Sequence, residues 1–141
     1  MTRVAVGIIR RDGFILLCRR RHDVPYPLKW EFPGGKIEHG ETPEACLTRE
    51  LAEELGIRIT VGQQYYSKCA IYPDAGTFDV TYFLIHAYEG IPENRAFSDI
   101  RWVSPADLET YDVLEGNREV VRKIIDEFSP GNAAHDFIPY T

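Results

Sequence analysis

Three glutamates close together in the chain, Glu50, Glu53 and Glu54, have a type and spacing that indicate chemistry. On a helix, residues three and four positions apart share a face, so these carboxylates would gather on one side. Like charges at this spacing destabilise a helix by roughly 0.2–0.5 kcal/mol per pair. The carboxylates therefore either point into solvent or are neutralised by a cation, and their oxygen atoms suit Mg²⁺.

The stretch around these glutamates is predicted to be a glycine-rich loop followed by a helix. The loop runs over 32–40, and the helix begins at Pro43 and stops at Gly56. Thr42 is a suitable N-cap because its hydroxyl can accept from a free N–H of the first turn. The apolar side of this helix is predicted to contain Ala45, Leu47, Leu51, Ala52 and Leu55.

From Gly35 to Ile57 the sequence resembles the Nudix box. It reads G-x5-E-x7-R-E-L-x-E-E-x-G-I, which matches every defined position of the box over 23 residues. These positions are Gly35, Glu41, Arg49, Glu50, Leu51, Glu53, Glu54, Gly56 and Ile57. The start V-A-V-G-I-I-R, the segment W-E-F-P-G-G-K-I-E-H-G-E-T-P-E and the region 102–125 are similar to the MutT-type branch of the family.

The resemblance implies both a fold and a reaction. The fold is the Nudix α/β/α sandwich, in which helices enclose a mixed, curved sheet. The reaction is Mg²⁺-dependent hydrolysis of a nucleoside triphosphate to monophosphate and diphosphate, with Mn²⁺ as a substitute cofactor. The type member of the branch prefers oxidised guanine nucleotides, so the resemblance implies a substrate such as 8-oxo-dGTP. The alternatives are CTP or dCTP, a nucleotide sugar or dinucleoside polyphosphate, and a non-catalytic module that senses a nucleotide.

The resemblance also assigns roles to the residues of the box. Glu53 and Glu54 are the expected metal ligands, and Glu50 is either a ligand or the base that orients water. Arg49 is placed in the catalytic set, although its expected role is to hold loop and helix together through Glu41. A backbone carbonyl of the adjacent glycines would complete the metal shell, so the predicted metal set is Gly34, Gly35, Glu50, Glu53 and Glu54.

The predicted substrate-binding residues are Arg20, Phe32, Gly34, Lys36 and Asn117. Several have a structural alternative: Arg20 belongs to a charged strand end at 19–21, Lys36 could pair within the loop, and Phe32 could be a core aromatic. In MutT-type enzymes an Asn at the position of Asn117 reads the purine, whereas Asn is also among the best helix caps. Both roles are compatible at a junction between a loop and a helix.

Two positions depart from the family pattern. The family often places a catalytic or metal-binding Glu six residues before the Trp of a late strand, and counting back from Trp102 gives Ala96. Glu93 or Asp99 could take over, the box carboxylates could suffice, or activity could be weak. The loop residues at 25–26 stand where the type member has a His. The first departure keeps the sensing module open as an alternative.

The rest of the chain predicts a layered α/β (α+β) domain. A hairpin turn is expected at 11–13, and a polar loop at 90–98. Ser104 is predicted to cap a short helix, and an amphipathic helix is predicted over 117–128. One domain is expected over 1–128, with 129–141 as its tail. Strands are predicted at 3–10, 14–18, 58–66, 68–71, 77–88 and 100–103.

Composition narrows the class of protein. The 141 residues are 44% hydrophobic and 27% charged, as in a globular domain. A net charge of −6 argues against a partner that is a nucleic-acid polymer, although a metal ion can offset the charge of a nucleotide. No apolar run reaches the length of a membrane span, and no signal peptide pattern is visible. The three cysteines lack metal-ligand spacing and are predicted to be buried or half-buried thiols in a reducing cytoplasm. The expected oligomeric state is a monomer or a homodimer.

Overall fold

A computed structural model of the protein describes residues 1–129. The predicted tail at 129–141 therefore lies outside the described residues, apart from Ser129. Among the described residues, no helix combines the length and apolar character that crossing a membrane requires. The described part of the chain contains two α-helices, α1 (Pro43–Leu55) and α2 (Arg118–Phe128), with short 3-10 helices at Pro105–Thr110 and Glu115–Asn117. The strands are β1 (Thr2–Ile8), β2 (Arg10–Arg11), β3 (Phe14–Arg19), β4 (Trp30–Glu31), β5 (Gly34–Lys36), β6 (Arg58–Tyr72), β7 (Gly76–Glu89) and β8 (Asp99–Val103).

The first of two compact units combines Met1–Ile9 with Phe32–Phe97. Its sheet has the strand order β5-β1-β7-β6. Strands β1 and β7 are parallel, whereas β1 pairs with β5 and β6 pairs with β7 in the antiparallel sense. Helix α1 packs on this sheet: a Cβ built at Gly7 of β1 would lie 3.3 Å from Leu51 Cδ2. The helix that carries the glutamates thus packs directly against β1, one of the two inner strands of this sheet.

The second compact unit contains Arg10–Glu31 and the described residues from Ser98 onward. Strand β3 is central, and β2, β4 and β8 each pair with it in the antiparallel sense. Trp30 is 6% exposed, and its ring meets Tyr111 edge-on at 5.1 Å. Helix α2 buries its apolar face through Val120, Val121 and Ile124.

The predicted class, helices with a mixed sheet, is confirmed, but the strands divide between two sheets. The strand predicted at 3–10 ends at Ile8. The residues that follow it, Arg10–Arg11, form the separate strand β2, which pairs with β3. The turn itself is as predicted: Asp12 and Gly13 have φ angles of 50° and 84°. Positive φ at both central residues is what a tight hairpin turn with right-handed strand twist requires.

Helix α1 begins and ends as predicted. Thr42 Oγ1 accepts a hydrogen bond from the Ala45 N–H at 3.1 Å, and Pro43 occupies the first helical position. Gly56 adopts φ 68°, and its N–H donates to the Ala52 carbonyl at 3.0 Å. One detail of the prediction is wrong: Ala45 and Ala52 are exposed, and the buried face is formed by Cys46, Leu47, Leu51 and Leu55.

Four further predictions need correction. The predicted loop at 32–40 contains β5, and the two strands predicted at 58–66 and 68–71 are one strand whose register shifts between Thr60 and Tyr66. Ser104 makes no side-chain cap bond, and the helix after it is a 3-10 helix. Cys18 and Cys46 are buried as expected, but Cys69 is exposed.

Candidate active site

The two glycines of β5 are required for different steric reasons. A Cβ at Gly34 would strike the backbone of β1, meeting the Ala5 carbonyl and lying 2.8 Å from Val6 Cα. A Cβ at Gly35 would lie 2.6 Å from Glu50 Oε1. Glycine at the first position thus permits the β1–β5 pairing. At the second it leaves room for a carboxylate.

Arg49 joins the glycine-rich segment to α1. Its Nε and Nη2 donate to the two carboxylate oxygens of Glu41 at 2.7 and 3.0 Å, a bidentate geometry. Its Nη1 donates to Glu50 Oε1 at 2.8 Å, and Nη2 also donates to the Lys36 carbonyl at 3.4 Å. Glu53 lies at the edge of this group, 3.6 Å from Nη1. This geometry supports the structural role predicted for Arg49 and Glu41.

The same contacts alter the acidity of the carboxyl groups. Hydrogen bonds from Arg49, and then from the Glu38 N–H, lower the pKa of Glu41 to about 2. Burial raises the pKa of Glu50, although the hydrogen bond and the charge of Arg49 oppose that rise. The two carboxyls that Arg49 binds are therefore shifted in opposite directions.

The pKa of Glu41 predicts how stability depends on pH. A carboxyl whose pKa is lowered by folding contributes stability above its unfolded pKa of about 4.3 and loses it as the pH falls through the folded value. We expect the free energy of unfolding to decrease between pH 5 and pH 2 in the wild type, with a shallower slope in Glu41→Gln. Urea titrations at several pH values measure this slope.

Glu38→Gln is the matched control for that experiment. Glu38 also faces Arg49, but at 3.7 Å and with a side chain that is 69% exposed. Its replacement should leave the pH slope close to that of the wild type. Equal pH slopes for the wild type and Glu41→Gln would show that the lowered pKa of Glu41 does not cause the pH dependence of stability.

The other two glutamates lie at the C-terminal end of α1. Glu54 Oε1 accepts a hydrogen bond from the Gly34 N–H at 3.2 Å, while the Glu53 side chain is 61% exposed. Over residues 1–129, no three His, Cys, Asp or Glu side chains converge closely enough to chelate an ion in their present positions. The contacts explain this spread, since Arg49 holds the carboxylate of Glu50 and Gly34 binds that of Glu54.

The donor chemistry of the glutamates fits a hard divalent cation. Three carboxylates come from one rigid helix, and Gly35 leaves the space beside Glu50 free of a Cβ. Carboxylate and carbonyl oxygens are the ligands that Mg²⁺ takes. The predicted metal residues, Glu50, Glu53 and Glu54 on α1 and Gly34 and Gly35 on β5, all belong to the first unit, and their role as metal ligands stays a prediction.

Arg20, a predicted substrate ligand, makes contacts within its own unit. Its Nη1 donates to both carboxylate oxygens of Glu31, at 3.1 and 3.3 Å. Its Nε and Nη2 donate to the Pro25 carbonyl at 2.9 and 2.6 Å. Burial raises the pKa of Glu31 against the opposing charge of Arg20. These bonds support a role for Arg20 in fixing the loop at residues 22–29.

The remaining predicted substrate residues have different surroundings. Phe32 is 3% exposed and meets Tyr82 edge-on at 6.5 Å, so it is a core aromatic of the first unit. Lys36 is exposed on β5. Asn117 is 8% exposed and precedes α2, but its side chain makes no cap bond. The alternative in which Asn117 serves as a side-chain cap is therefore wrong.

The loop that carries Ala96 has ion pairs on both flanks. Glu93 Oε2 lies 3.4 Å from Arg95 Nη2, and Asp99 Oδ2 lies 3.0 Å from Arg101 Nε. Glu93 and Asp99 were the predicted substitutes for the family's loop glutamate, which Ala96 replaces here. Arg95 was not among the predicted residues. The one signal for Arg95 was the absence of a basic residue from the last turn of α1.

Comparisons with known proteins show which family the chain resembles. A family profile described as NUDIX domain matches residues 1–127. An 8-oxo-dGTP diphosphatase of Escherichia coli K12 is 36% identical over 122 residues, which cover 86% of this chain and 94% of that protein. A CTP pyrophosphohydrolase of the same strain is 49% identical over 63 residues, covering 45% of this chain and 47% of that protein. A solved MutT structure from work on Aliivibrio salmonicida and Vibrio cholerae matches with a TM-score of 0.76 and 32% identity, covering 90% of this chain and 98% of that one.

Proposed function

Because this chain belongs to the Nudix family, in its MutT-like branch, we propose that it is a Mg²⁺-dependent nucleoside triphosphate pyrophosphohydrolase. Its proposed substrate is an oxidised purine nucleotide such as 8-oxo-dGTP. The observation that carries this proposal is the hydrogen bond from Arg49 to Glu50, which holds the Glu50 carboxylate beside Gly35 of β5. The helix that bears Glu50 also bears Glu53 and Glu54. The similarity to an 8-oxo-dGTP diphosphatase along most of both chains supports the substrate.

Nudix hydrolases generally use divalent metals such as Mg²⁺. In this chain Glu53, Glu54 and Glu50 would hold the cation, with a carbonyl of Gly34 or Gly35. When bound, such a cation neutralises charge on phosphate oxygens and lowers the pKa of bound water. That chemistry suits a phosphoanhydride, whose negative charge otherwise repels a nucleophile.

The residues around the cation have their own proposed tasks. Arg49 orients the carboxylate of Glu50 through the 2.8 Å bond, and burial raises the pKa of that carboxyl. By resemblance, Glu50 is either a further ligand of the cation or the base that orients water, and its bond to Arg49 fixes one of its carboxylate oxygens. The Gly34 N–H orients Glu54 in the same way. The carboxylates of Glu50 and Glu54 are thus held by hydrogen bonds, while the side chain of Glu53 is exposed.

Substrate recognition is proposed to involve Asn117, with Arg20, Phe32 and Lys36 as further contacts. Base recognition is the role that the resemblance gives to Asn117, whose buried side chain lies at the start of α2. We also propose that residues 1–128 form one catalytic domain, which acts in the cytoplasm as a monomer or homodimer. The family profile over residues 1–127 supports that domain.

A second candidate substrate is a cytidine triphosphate. The observation that favours it is the 49% identity over 63 residues to a CTP pyrophosphohydrolase. That match covers less than half of either chain, whereas the match to the 8-oxo-dGTP diphosphatase covers most of both. The purine nucleotide therefore remains the first proposal.

A substrate panel with the Asn117→Ala variant tests both candidates. We expect Mg²⁺-dependent diphosphate release, fastest from 8-oxo-dGTP among 8-oxo-dGTP, dGTP, CTP, dCTP, ADP-ribose and a diadenosine polyphosphate. Asn117→Ala should lower the preference for the oxidised purine about tenfold, because a lost hydrogen bond to a base costs roughly 1–3 kcal/mol.

Arg118→Ala is the neighbouring control, since Arg118 is 61% exposed and pairs with Glu115 at the surface. It should keep the preference of the wild type. Fastest turnover of CTP or dCTP would select the second candidate. Unchanged discrimination in Asn117→Ala would contradict base reading by this residue. No turnover by the wild type, with nucleotide and metal still bound, would favour the sensing module.

A further inference from the structure

The last turn of α1 carries two of the three glutamates, Glu53 and Glu54, and contains no basic residue. The final four carbonyls of a helix have no partner within the helix, and helix ends fray as a result. Side chains on that turn are held in place only if another segment binds the helix end. The direction of the two carboxylates therefore depends on what contacts this end.

A segment from the loop after β7, Glu93–Arg95, binds the end of α1, and we call it the α1 clamp. The Glu93 N–H donates to the Leu55 carbonyl at 2.9 Å. The Arg95 N–H donates to the Glu54 carbonyl at 3.0 Å. With the bond from the residue after the helix to Ala52, three of the last four carbonyls are satisfied.

The Arg95 side chain completes the clamp. Its guanidinium lies against Gly56, where an added Cβ would be 2.6 Å from Nη2. A cation at this position complements the negative end of the helix dipole, which no residue within the last turn of α1 does. Arg95 also pairs with Glu93 Oε2 at 3.4 Å, so the clamp is held internally as well.

The loop that bears the clamp is also held by hydrogen bonds within itself. Asn94 Oδ1 accepts from the Phe97 N–H at 2.8 Å, and Asn94 Nδ2 donates to the Phe97 carbonyl at 2.9 Å. Ala96 thus lies inside a turn that is closed by the loop's own side chain.

We propose that Arg95 is a positioning residue for the metal-binding carboxylates Glu53 and Glu54. This inference rests on the proposed function, because it takes these two glutamates as metal ligands. Arg95 acts through the helix end: its guanidinium, which Arg95→Ala removes, lies against Gly56, and its N–H, which that variant keeps, binds the carbonyl of Glu54. The loop that carries Ala96 thereby contributes by fixing the carboxylates of α1.

Mn²⁺ binding in the absence of nucleotide tests this role directly. We expect Arg95→Ala to weaken Mn²⁺ binding about tenfold, the lower end of the effect seen for residues that orient metal ligands. Arg95→Lys keeps the charge and should bind within about twofold of the wild type, since the charge at the helix end is preserved. Arg58→Ala is the matched control, because it removes an exposed arginine two residues beyond Gly56.

Amide hydrogen exchange gives a second readout that needs no activity. Faster exchange over 52–56 is expected in Arg95→Ala and not in Arg58→Ala. Mn²⁺ affinity equal to that of the wild type in Arg95→Ala would overturn the positioning role even if the unfolding midpoint fell, since a merely structural residue affects stability alone. Wild-type protein that binds Mn²⁺ but hydrolyses no triphosphate would refute the proposed function only. Wild-type protein that binds no Mn²⁺ would refute both.

Discussion

Glu53→Gln is expected to lower metal-dependent triphosphate hydrolysis at least about a hundredfold, which corresponds to about 2.7 kcal/mol of lost transition-state stabilisation. The amide keeps the shape of the side chain but removes the charge that a cation requires. Because the Glu53 side chain is 61% exposed, the fold should be unaffected. Diphosphate release at increasing Mg²⁺ concentration measures the loss of activity, and the urea midpoint of the same samples measures the stability of the fold.

Glu44→Gln supplies the control for that experiment. Glu44 is an exposed residue in the first turn of the same helix, so its replacement changes the net charge equally. It should retain turnover within about twofold of the wild type. If Glu53→Gln hydrolysed the triphosphate nearly as fast as Glu44→Gln, Glu53 would not be a metal ligand.

Alanine at the two adjacent glycines is expected to produce opposite kinds of damage. In Gly35→Ala the new Cβ meets only the carboxylate end of Glu50, which can rotate away at little cost in stability. Turnover should fall between ten- and a hundredfold, because Glu50 then leaves its bond to Arg49. In Gly34→Ala the Cβ meets the backbone of Ala5 and Val6, so we expect a loss of stability of about 3 kcal/mol.

Urea unfolding and turnover measured on both variants separate these outcomes. Gly13→Ala is a control for loss of a glycine, because its Cβ would meet nothing within 4 Å although its φ is 84°. That variant should lose some stability and keep full turnover. Wild-type turnover in Gly35→Ala would show that Glu50 does not need its observed position.

Features determined by nearby residues could be predicted from the sequence. Helix α1 starts and stops at the expected positions because Thr42, Pro43 and Gly56 act on backbone groups within a few residues of themselves. The bond between Arg49 and Glu41 also matches the prediction, and it spans only eight positions along the chain. Short-range chemistry and the Nudix box pattern together covered most of the candidate metal site.

Features that depend on distant partners were less accessible. The β-branched residues over 3–10 predict a strand, but they do not show that the partner of this strand is β7. The Arg20 side chain was expected at a strand end, yet its contact Glu31 is brought close only by the pairing of β3 with β4. Asn117 is the last residue of a 3-10 helix and has φ −94° and ψ −4°, so it lacks the extended backbone that a side-chain cap requires.

The position of β1 inside its sheet determines the order in which the protein can fold during synthesis. Strand β1 is made first, yet Ile8 pairs with Leu84, so one edge of β1 stays open until most of the first unit has left the ribosome. Pairing with β5 is available much earlier, because Val6 meets Gly34. Contacts so distant in sequence slow folding. Until β7 has been synthesised, the unpaired edge of the apolar strand β1 can pair with other chains and aggregate. Chains that terminate before β7 therefore lack the partner of one edge of β1, and we expect them to aggregate more readily than the whole chain.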